Sequence, residues 1–266
     1  MDLVTLTPAV VELAHTAGAA IMQVYNSADF SIEHKEDASP LTAADLASHQ
    51  TIVDGLTLLT PHYPILSEES ASIGFAERSQ WQTYWLVDPL DGTREFIKRN
   101  DEFSVLIALI HNNRPILGVV YAPALHMTWY ASLGSGAYKQ MGSAEAKRIS
   151  TREPNELITI VGSRSHAGDS LAQFLQHFEH YELISMGSIL KACLVAEGKA
   201  DLYPRLGLTS EWDTAAAQII VEEAGGLMTE LNGEPLKYNL KESLLNPYFI
   251  VSGNDNYFRE KIIDIL

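Results

Sequence analysis

Asp88 and Asp91 flank Pro89 and Leu90 in the run Trp85-Leu86-Val87-Asp88-Pro89-Leu90-Asp91-Gly92-Thr93-Arg94-Glu95-Phe96. An apolar, strand-like segment leads into Asp-Pro and then Asp-Gly, residue types that favour tight turns. A turn here brings both carboxylates to one point, with the Leu90 carbonyl between them as a third oxygen. Donor sets made only of oxygen favour magnesium, manganese or calcium over zinc. The same segment also reads as a plain turn in which Thr93 caps a short helix.

Other acids fall at the ends of predicted elements. Glu68 closes a short strand in Ser67-Glu68-Glu69-Ser70, where a solvated edge is the simpler reading. Asp213, in Glu211-Trp212-Asp213-Thr214-Ala215-Ala216-Ala217, precedes a helical run and reads as its N-cap. A helix start also offers N–H groups to an anion. Asp45 lies in the first turn of a helix, where the dipole favours an acid. Two carboxylates about 4 Å apart repel by roughly 4 kcal/mol at an effective dielectric of 20. Four acids in one pocket would therefore need protons or divalent cations. A pair of cations about 4 Å apart is a common device of phosphoryl transfer.

The elements that position these residues follow from the apolar spacing. Val10, Leu13, Ala17, Ile21 and Val24 mark an amphipathic helix over 8–25, and Leu46, Ile52, Val53, Leu56 and Leu59 mark a second over 43–59. A polar loop, 33–40, joins them. Strands are predicted at 64–67, 84–88, 104–110, 116–121 and 127–131, with short polar or Pro/Gly punctuation between the last three, which suggests an antiparallel meander. Beyond residue 150 the pattern alternates. Strands are predicted at 157–161, 181–185, 200–203 and 248–252, and helices at 168–178, 188–197, 213–224 and 255–265. We expect one unit over 1–266, with an α+β half over 1–150 holding the metal site and an α/β half over 151–266 holding substrate contacts.

Whole-chain properties narrow the function. The 266 residues carry 18 Lys and Arg against 34 Asp and Glu, for a net charge of −16. Such a surface repels nucleic acid and anionic lipid, so no nucleic-acid partner is expected. The lone cysteine, Cys193, sits in an apolar run and reads as core packing. The N-terminus has no basic leader, and no apolar stretch is seen that reaches the roughly 18–20 residues of a membrane span. A cytoplasmic enzyme is expected, with peripheral attachment to the inner membrane left open. His177 and His180 are expected to be solvated, and neither a Walker loop nor a dinucleotide glycine fingerprint is present.

The 85–96 run, Glu68-Glu69 and 212–217 together resemble the inositol monophosphatase superfamily of lithium-sensitive, magnesium-dependent phosphatases. The first of these matches that family's motif at every defining position. The resemblance spans nearly the whole chain. Within the family it runs to the bacterial 3′(2′),5′-bisphosphate nucleotidase branch, on Ser39-Pro40-Leu41-Thr42-Ala43-Ala44-Asp45, Phe96-Ile97-Lys98-Arg99-Asn100, Ser163-Arg164-Ser165-His166, Leu194-Val195-Ala196-Glu197-Gly198 and Tyr203-Pro204-Arg205.

The resemblance implies an α/β fold, a layered αβαβα sandwich, and two to three magnesium ions. Glu68, Asp88 and the Leu90 carbonyl would hold the first ion. Asp88, Asp91 and Asp213 would hold the second, with a third, weaker one near Glu68. Thr93 and Asp45 would orient and deprotonate the attacking water, and the Gly92 and Thr93 N–H groups would grip the phosphate. Asp213, Ser163, His166, Gly187 and Lys191 would touch a small nucleotide, with Arg205 a weaker anion ligand. Lys191 also reads as a solvated helix lysine, and His166 as a loop residue bonded to backbone. Ile189 stands where the branch usually has a second serine, and Arg94 replaces a common lysine. The implied reaction converts adenosine 3′,5′-bisphosphate to AMP and phosphate, with the sulfated adenylyl phosphate as a further substrate. Two alternatives stay open: an inositol or sugar monophosphatase, and a metal-dependent nucleotide-binding protein without turnover.

Overall fold

Helix α1 (Leu3–Tyr25) begins at Leu3 rather than at residue 8, because Asp2 Oδ1 accepts the N–H groups of Val4 and Thr5 at 3.1 and 3.3 Å. The computed structural model describes residues 2–27, 32–34, 40–70, 72–154, 156–164 and 169–253. The predicted helix over 255–265 and His166 lie outside them.

Part of the predicted polar loop is instead a small hairpin, β1 (Ile32–His34) with β2 (Pro40–Thr42). Then come α2 (Ala43–Leu59), β3 (Ile65–Ser67), α3 (Phe75–Arg78), β4 (Thr83–Asp91), α4 (Thr93–Lys98), β5 (Ser104–His111), β6 (Arg114–Ala122) and β7 (Met127–Ser132). The meander continues through β8 (Gly136–Met141) and β9 (Lys147–Ile149), two strands absent from the sequence reading. The second half holds β10 (Ile158–Ser163), α5 (Asp169–Leu175), β11 (Tyr181–Met186), α6 (Leu190–Ala196), β12 (Leu202–Arg205), α7 (Ala215–Glu223), β13 (Gly226–Glu230) and β14 (Phe249–Gly253). Of these, β13 was not predicted.

Two sheets organise the chain. The larger has the order β3-β4-β5-β6-β7-β8-β9, antiparallel except where β3 runs parallel to β4. The smaller has the order β11-β10-β12-β14-β13, with β10 parallel to both neighbours. Alternation along β5 sends Val105, Ile107 and Leu109 to one face and Leu106, Ala108 and Ile110 to the other. The first set packs with Val10, Ala14, Ala17 and Ile21 of α1 and with Ile52 and Leu56 of α2. The second joins Ile219, Ile220 and Val221 of α7, Cys193 of α6, and Val161 and Val251 of the smaller sheet.

Helix α7 is buried from Ala215 to Val221, Gln218 included, and lies between the two sheets. It approaches closely: a Cβ at Gly118 on β6 would meet Ala216 O at 2.3 Å. On the far face of the smaller sheet, Phe174 and Leu175 of α5 pack with Ile158, Ile160, Leu202 and Ile250. The layers therefore run α, β, α, β, α, as expected. Helix α1 corrects one expectation, since it is long and apolar enough by length and composition to cross a membrane. Its buried face instead packs against the larger sheet, as the core of a folded domain does.

Candidate active site

Strand β4 carries the central acids, and its register explains how. Asp88 pairs with Leu106 and Asp91 with Ser104, so three steps on β4 oppose two on β5. That is a β-bulge. In a regular strand, residues three apart point to opposite faces, and one extra residue brings them to the same side. The predicted turn between Asp88 and Asp91 is therefore a bulge within the strand. Pro89 lacks the N–H that a ladder needs, and Ser48 Oγ of α2 donates to its carbonyl at 2.7 Å.

Three further elements bring acids to this point. Ser67 pairs in parallel with Val87, so Glu68, next along the chain, falls beside Asp88. Asp45 is the third residue of α2, where its Oδ2 accepts the N–H and hydroxyl of Thr42 at 2.8 and 2.6 Å in a capping box. Asp213 closes a 3-10 turn (Glu211–Asp213) and accepts the Ser210 N–H at 2.9 Å. It does not cap α7; Thr214 occupies that position, since Asp213 already caps the turn before it. Nor does Thr93 cap α4. The cap is Gly92 at φ 91°, a left-handed backbone that glycine adopts without strain, and Thr93 is the first helical residue. Its hydroxyl lies 3.4 Å from Asp45 Oδ1 and 3.3 Å from the Leu90 carbonyl.

The nest is electrostatically loaded. Burial, then the charges of Glu68, Asp91 and Asp213, push the Asp88 carboxyl well above the usual carboxylate range, and it shares a hydrogen bond with Glu68. Burial and Asp91 push Asp213 up as well, against the pull of the Ser210 N–H. Among the described residues, no three His, Cys, Asp or Glu side chains close on one point at ligand spacing. Apart from the Asp88–Glu68 contact, the acids are turned to separate partners. Asp91 Oδ2 accepts the Ser188 hydroxyl and the Ile189 N–H, the latter at 2.6 Å, and Asp88 Oδ1 accepts the Leu90 N–H at 3.0 Å. An oxygen-only donor set with uncompensated negative charge fits a hard divalent cation.

A cavity of about 260 Å³ joins this nest to a basic end. Its lining includes the acidic group Glu68, Asp91 and Asp213 with Gly92 and Thr93, and also Ser163, Lys191, Tyr203 and Arg205. Lys191 is only 3 % exposed, which excludes the solvated-helix reading. Its ammonium donates to the Met186 and Ser188 carbonyls and lies 5.2 Å from the Tyr203 ring centre. Burial pulls it down to about 8, with Arg205 acting in the same direction and Asp91, Glu95 and Glu102 opposing. Arg205 Nη2 donates to the Leu208 carbonyl at 2.7 Å, while its buried Nε has no protein partner.

Gly187 is not among the residues lining this cavity; its N–H goes to Glu102 Oε2 at 2.7 Å. Arg94 lines the cavity, and Ile189 contributes both its backbone and a side chain in the core. A second cavity of about 340 Å³ shares Ser163, Tyr203, Arg205 and Leu208 with the first and adds Leu171, Pro204 and Leu206. Sequence reasoning missed Ser188 and this apolar pocket. The signal for Ser188 was its place in Gly187-Ser188-Ile189-Leu190-Lys191; the pocket left none, since no motif marks Leu171, Leu206 or Leu208.

A layered sandwich with a buried acid nest facing a basic cavity defines a phosphoric monoester hydrolase. The chain belongs to the inositol monophosphatase family, whose sequence model matches residues 2–263. It is 50 % identical over 244 residues to the 3′(2′),5′-bisphosphate nucleotidase CysQ of Escherichia coli O157:H7, covering 91 % of this chain and 98 % of the relative. The crystal structure of CysQ from Bacteroides thetaiotaomicron superposes with a TM-score of 0.83 at 40 % identity, covering 94 % of this chain and 98 % of the other. An inositol monophosphatase from Thermotoga maritima gives 0.80 at 27 % identity, over 100 % and 96 %. Within the family the likeness thus runs to the branch that the motifs indicate.

Proposed function

We propose that this chain is a magnesium-dependent 3′(2′),5′-bisphosphate nucleotidase that converts adenosine 3′,5′-bisphosphate to AMP and phosphate. The observation that carries the reading is the buried Lys191, with Arg205, across one cavity from the acid nest. A monoester with a single phosphate offers such a cation only hydroxyl oxygens, whereas a bisphosphate can place its second, charged phosphate there. The adjoining apolar cavity, with Tyr203, Leu171 and Leu206, suits an adenine ring. The relatives' printed activity supports the same reading. The sulfated adenylyl phosphate, with the same 3′-phosphate, is a second substrate on this account.

Glu68, Asp88 and the Leu90 carbonyl would hold one magnesium, Asp88, Asp91 and Asp213 a second, and Glu68 a weaker third. Bound magnesium supplies positive charge to the phosphate oxygens and acidity to the attacking water. Thr93 takes a proton from that water as its own hydroxyl proton passes to Asp45, which holds Thr93 in place; as the water oxygen bonds to phosphorus the P–O3′ bond breaks, and the ribose 3′-oxygen leaves and takes a proton from solvent. Asp45 is kept in this posture by the Thr42 box, which occupies its other oxygen. The Gly92 and Thr93 N–H groups, at the start of α4, grip the departing phosphoryl oxygens. Ser163 and Lys191 anchor the nucleotide, and His166 is assigned to the same task on the sequence alone.

Initial rates of phosphate release from adenosine 3′,5′-bisphosphate and from inositol 1-phosphate, with magnesium and with or without lithium, test the proposal. Lithium-inhibited release that strongly prefers the nucleotide supports it. Preference for the inositol ester would move the chain to the monophosphatase reading. Magnesium binding without release from either would leave a binding protein.

A further inference from the structure

The segment 186–191 touches both ends of the cavity at once. At its basic end, the Lys191 ammonium donates to the Met186 and Ser188 carbonyls. At its acidic end, the Ser188 hydroxyl and the Ile189 N–H both donate to Asp91 Oδ2. Ser104 Oγ lies 2.5 Å from Ser188 Oγ, and Glu102 Oε2 holds the Gly187 N–H, so Gly187 and Ser188 are fixed to the start of β5 and the residue pair before it. Ser188 itself has φ 53°, a left-handed conformation that strains a non-glycine residue. A glycine would sit there without strain, but it could not donate to Asp91.

We propose that this segment couples recognition of the substrate's second phosphate to the orientation of Asp91, with Ser188 as the positioning residue. The inference rests on the nucleotidase reading and adds to it a reason why the second phosphate accelerates turnover. An ammonium has three donors, and two of those on Lys191 are held by carbonyls of this segment. A phosphate that takes the third is thereby tied to Ser188. The Ser188 hydroxyl and the Ile189 N–H in turn fix Asp91 Oδ2, which leaves Oδ1 to face a cation. The second phosphate then acts on kcat as well as on KM.

The test compares adenosine 3′,5′-bisphosphate with adenosine 3′-monophosphate, which lacks the second phosphate, in the wild type, Ser188→Gly, Ser188→Asn, Lys191→Met and the Ser188→Gly/Lys191→Met double variant. Glycine and asparagine both tolerate the left-handed backbone, so the fold is retained, and melting curves verify this. In the wild type, kcat is higher for the bisphosphate. Both Ser188 variants lower that kcat ratio by about tenfold, a size typical of coupled sites. Lys191→Met lowers it equally, and the double variant lowers it no further. Equal loss on both substrates, an effect confined to KM, or additive losses would overturn the coupling. A wild type whose kcat ratio is one also overturns it, while leaving the nucleotidase reading intact. A wild type that releases no phosphate from the bisphosphate defeats the nucleotidase reading itself.

Discussion

Thr93 Oγ1 lies 3.4 Å from Asp45 Oδ1, although 48 positions separate the two residues along the chain. The contact joins the start of α4 to the first turn of α2. If it moves the proton, Thr93→Ala lowers kcat by about 10²–10⁴, the usual worth of a positioned acid or base. KM changes little, and Thr93→Ser keeps most of the activity. Steady-state kinetics on the bisphosphate read this directly. A Thr93→Ala enzyme within a few-fold of wild type would remove Thr93 from the chemistry.

Asp88 is a buried carboxylate surrounded by like charges. Its replacement by asparagine keeps the shape and removes the repulsion. The metal-free Asp88→Asn protein should therefore melt about 2–6 °C above the wild type, while its activity is lost. Magnesium should raise the melting temperature of the wild type and leave the variant nearly unmoved. Calorimetry with and without the cation distinguishes this from a purely structural role, for which the variant would be destabilised.

Lys191 gives a pH signature. Burial holds its ammonium at about 8, against an ordinary value of 10.5. Below pH 8 both folded and unfolded chains carry the charge, and the burial penalty is present in full. Between 8 and 10.5 the unfolded chain binds the extra proton, so this residue's contribution to stability rises with pH. Substrate binding goes the other way, because the cation is lost as pH rises through 8. KM for the bisphosphate should increase over that range, and the increase should be absent in Lys191→Met, whose KM is about 10–100-fold higher throughout, the cost of one charged partner.

Arg78, 1 % exposed, joins α3 to the loop before β14 by donating to Asn239 Oδ1 at 2.6 Å and to the Lys241 and Glu242 carbonyls. Asn239 in turn donates its N–H to Glu211 Oε2 at 2.8 Å, two residues from Asp213. Arg78→Met strands the buried Asn239 Oδ1, at about 1–3 kcal/mol, and releases the part-buried Lys241 and Glu242 carbonyls. Chemical denaturation should show a loss of about 1–3 kcal/mol on that count. A loss under 1 kcal/mol would mean that the network is dispensable.

How far the sequence foretold this arrangement depends on the range of the interaction. The order of elements was legible because apolar spacing marks most helices and strands and local motifs mark their ends, whereas the layered sandwich was legible only through the family resemblance. The β8, β9 and β13 strands were not, since Gly136–Met141, Lys147–Ile149 and Gly226–Glu230 are short and partly polar and take their form from neighbours. Asp88 and Asp91 were legible as a pair, but the bulge that aligns them is a relation between two strands. Asp213 read as a cap of α7 because the 3-10 turn ahead of it has no distinct pattern. The burial of Lys191 was ambiguous for the same reason: the Tyr203 ring that covers it belongs to β12, which meets α6 only in the fold, although the Met186 and Ser188 carbonyls that receive its ammonium are local.

The central claim is that the acid nest removes one particular phosphate while the basic end holds the other. Chromatographic identification of the nucleoside product from adenosine 3′,5′-bisphosphate, with phosphate counted in parallel, tests it most directly. The account predicts adenosine 5′-monophosphate and one equivalent of phosphate, with no further breakdown. Adenosine 3′-monophosphate or free adenosine as the product would contradict it, because the cavity would then be binding the nucleotide in the opposite sense or with no preference.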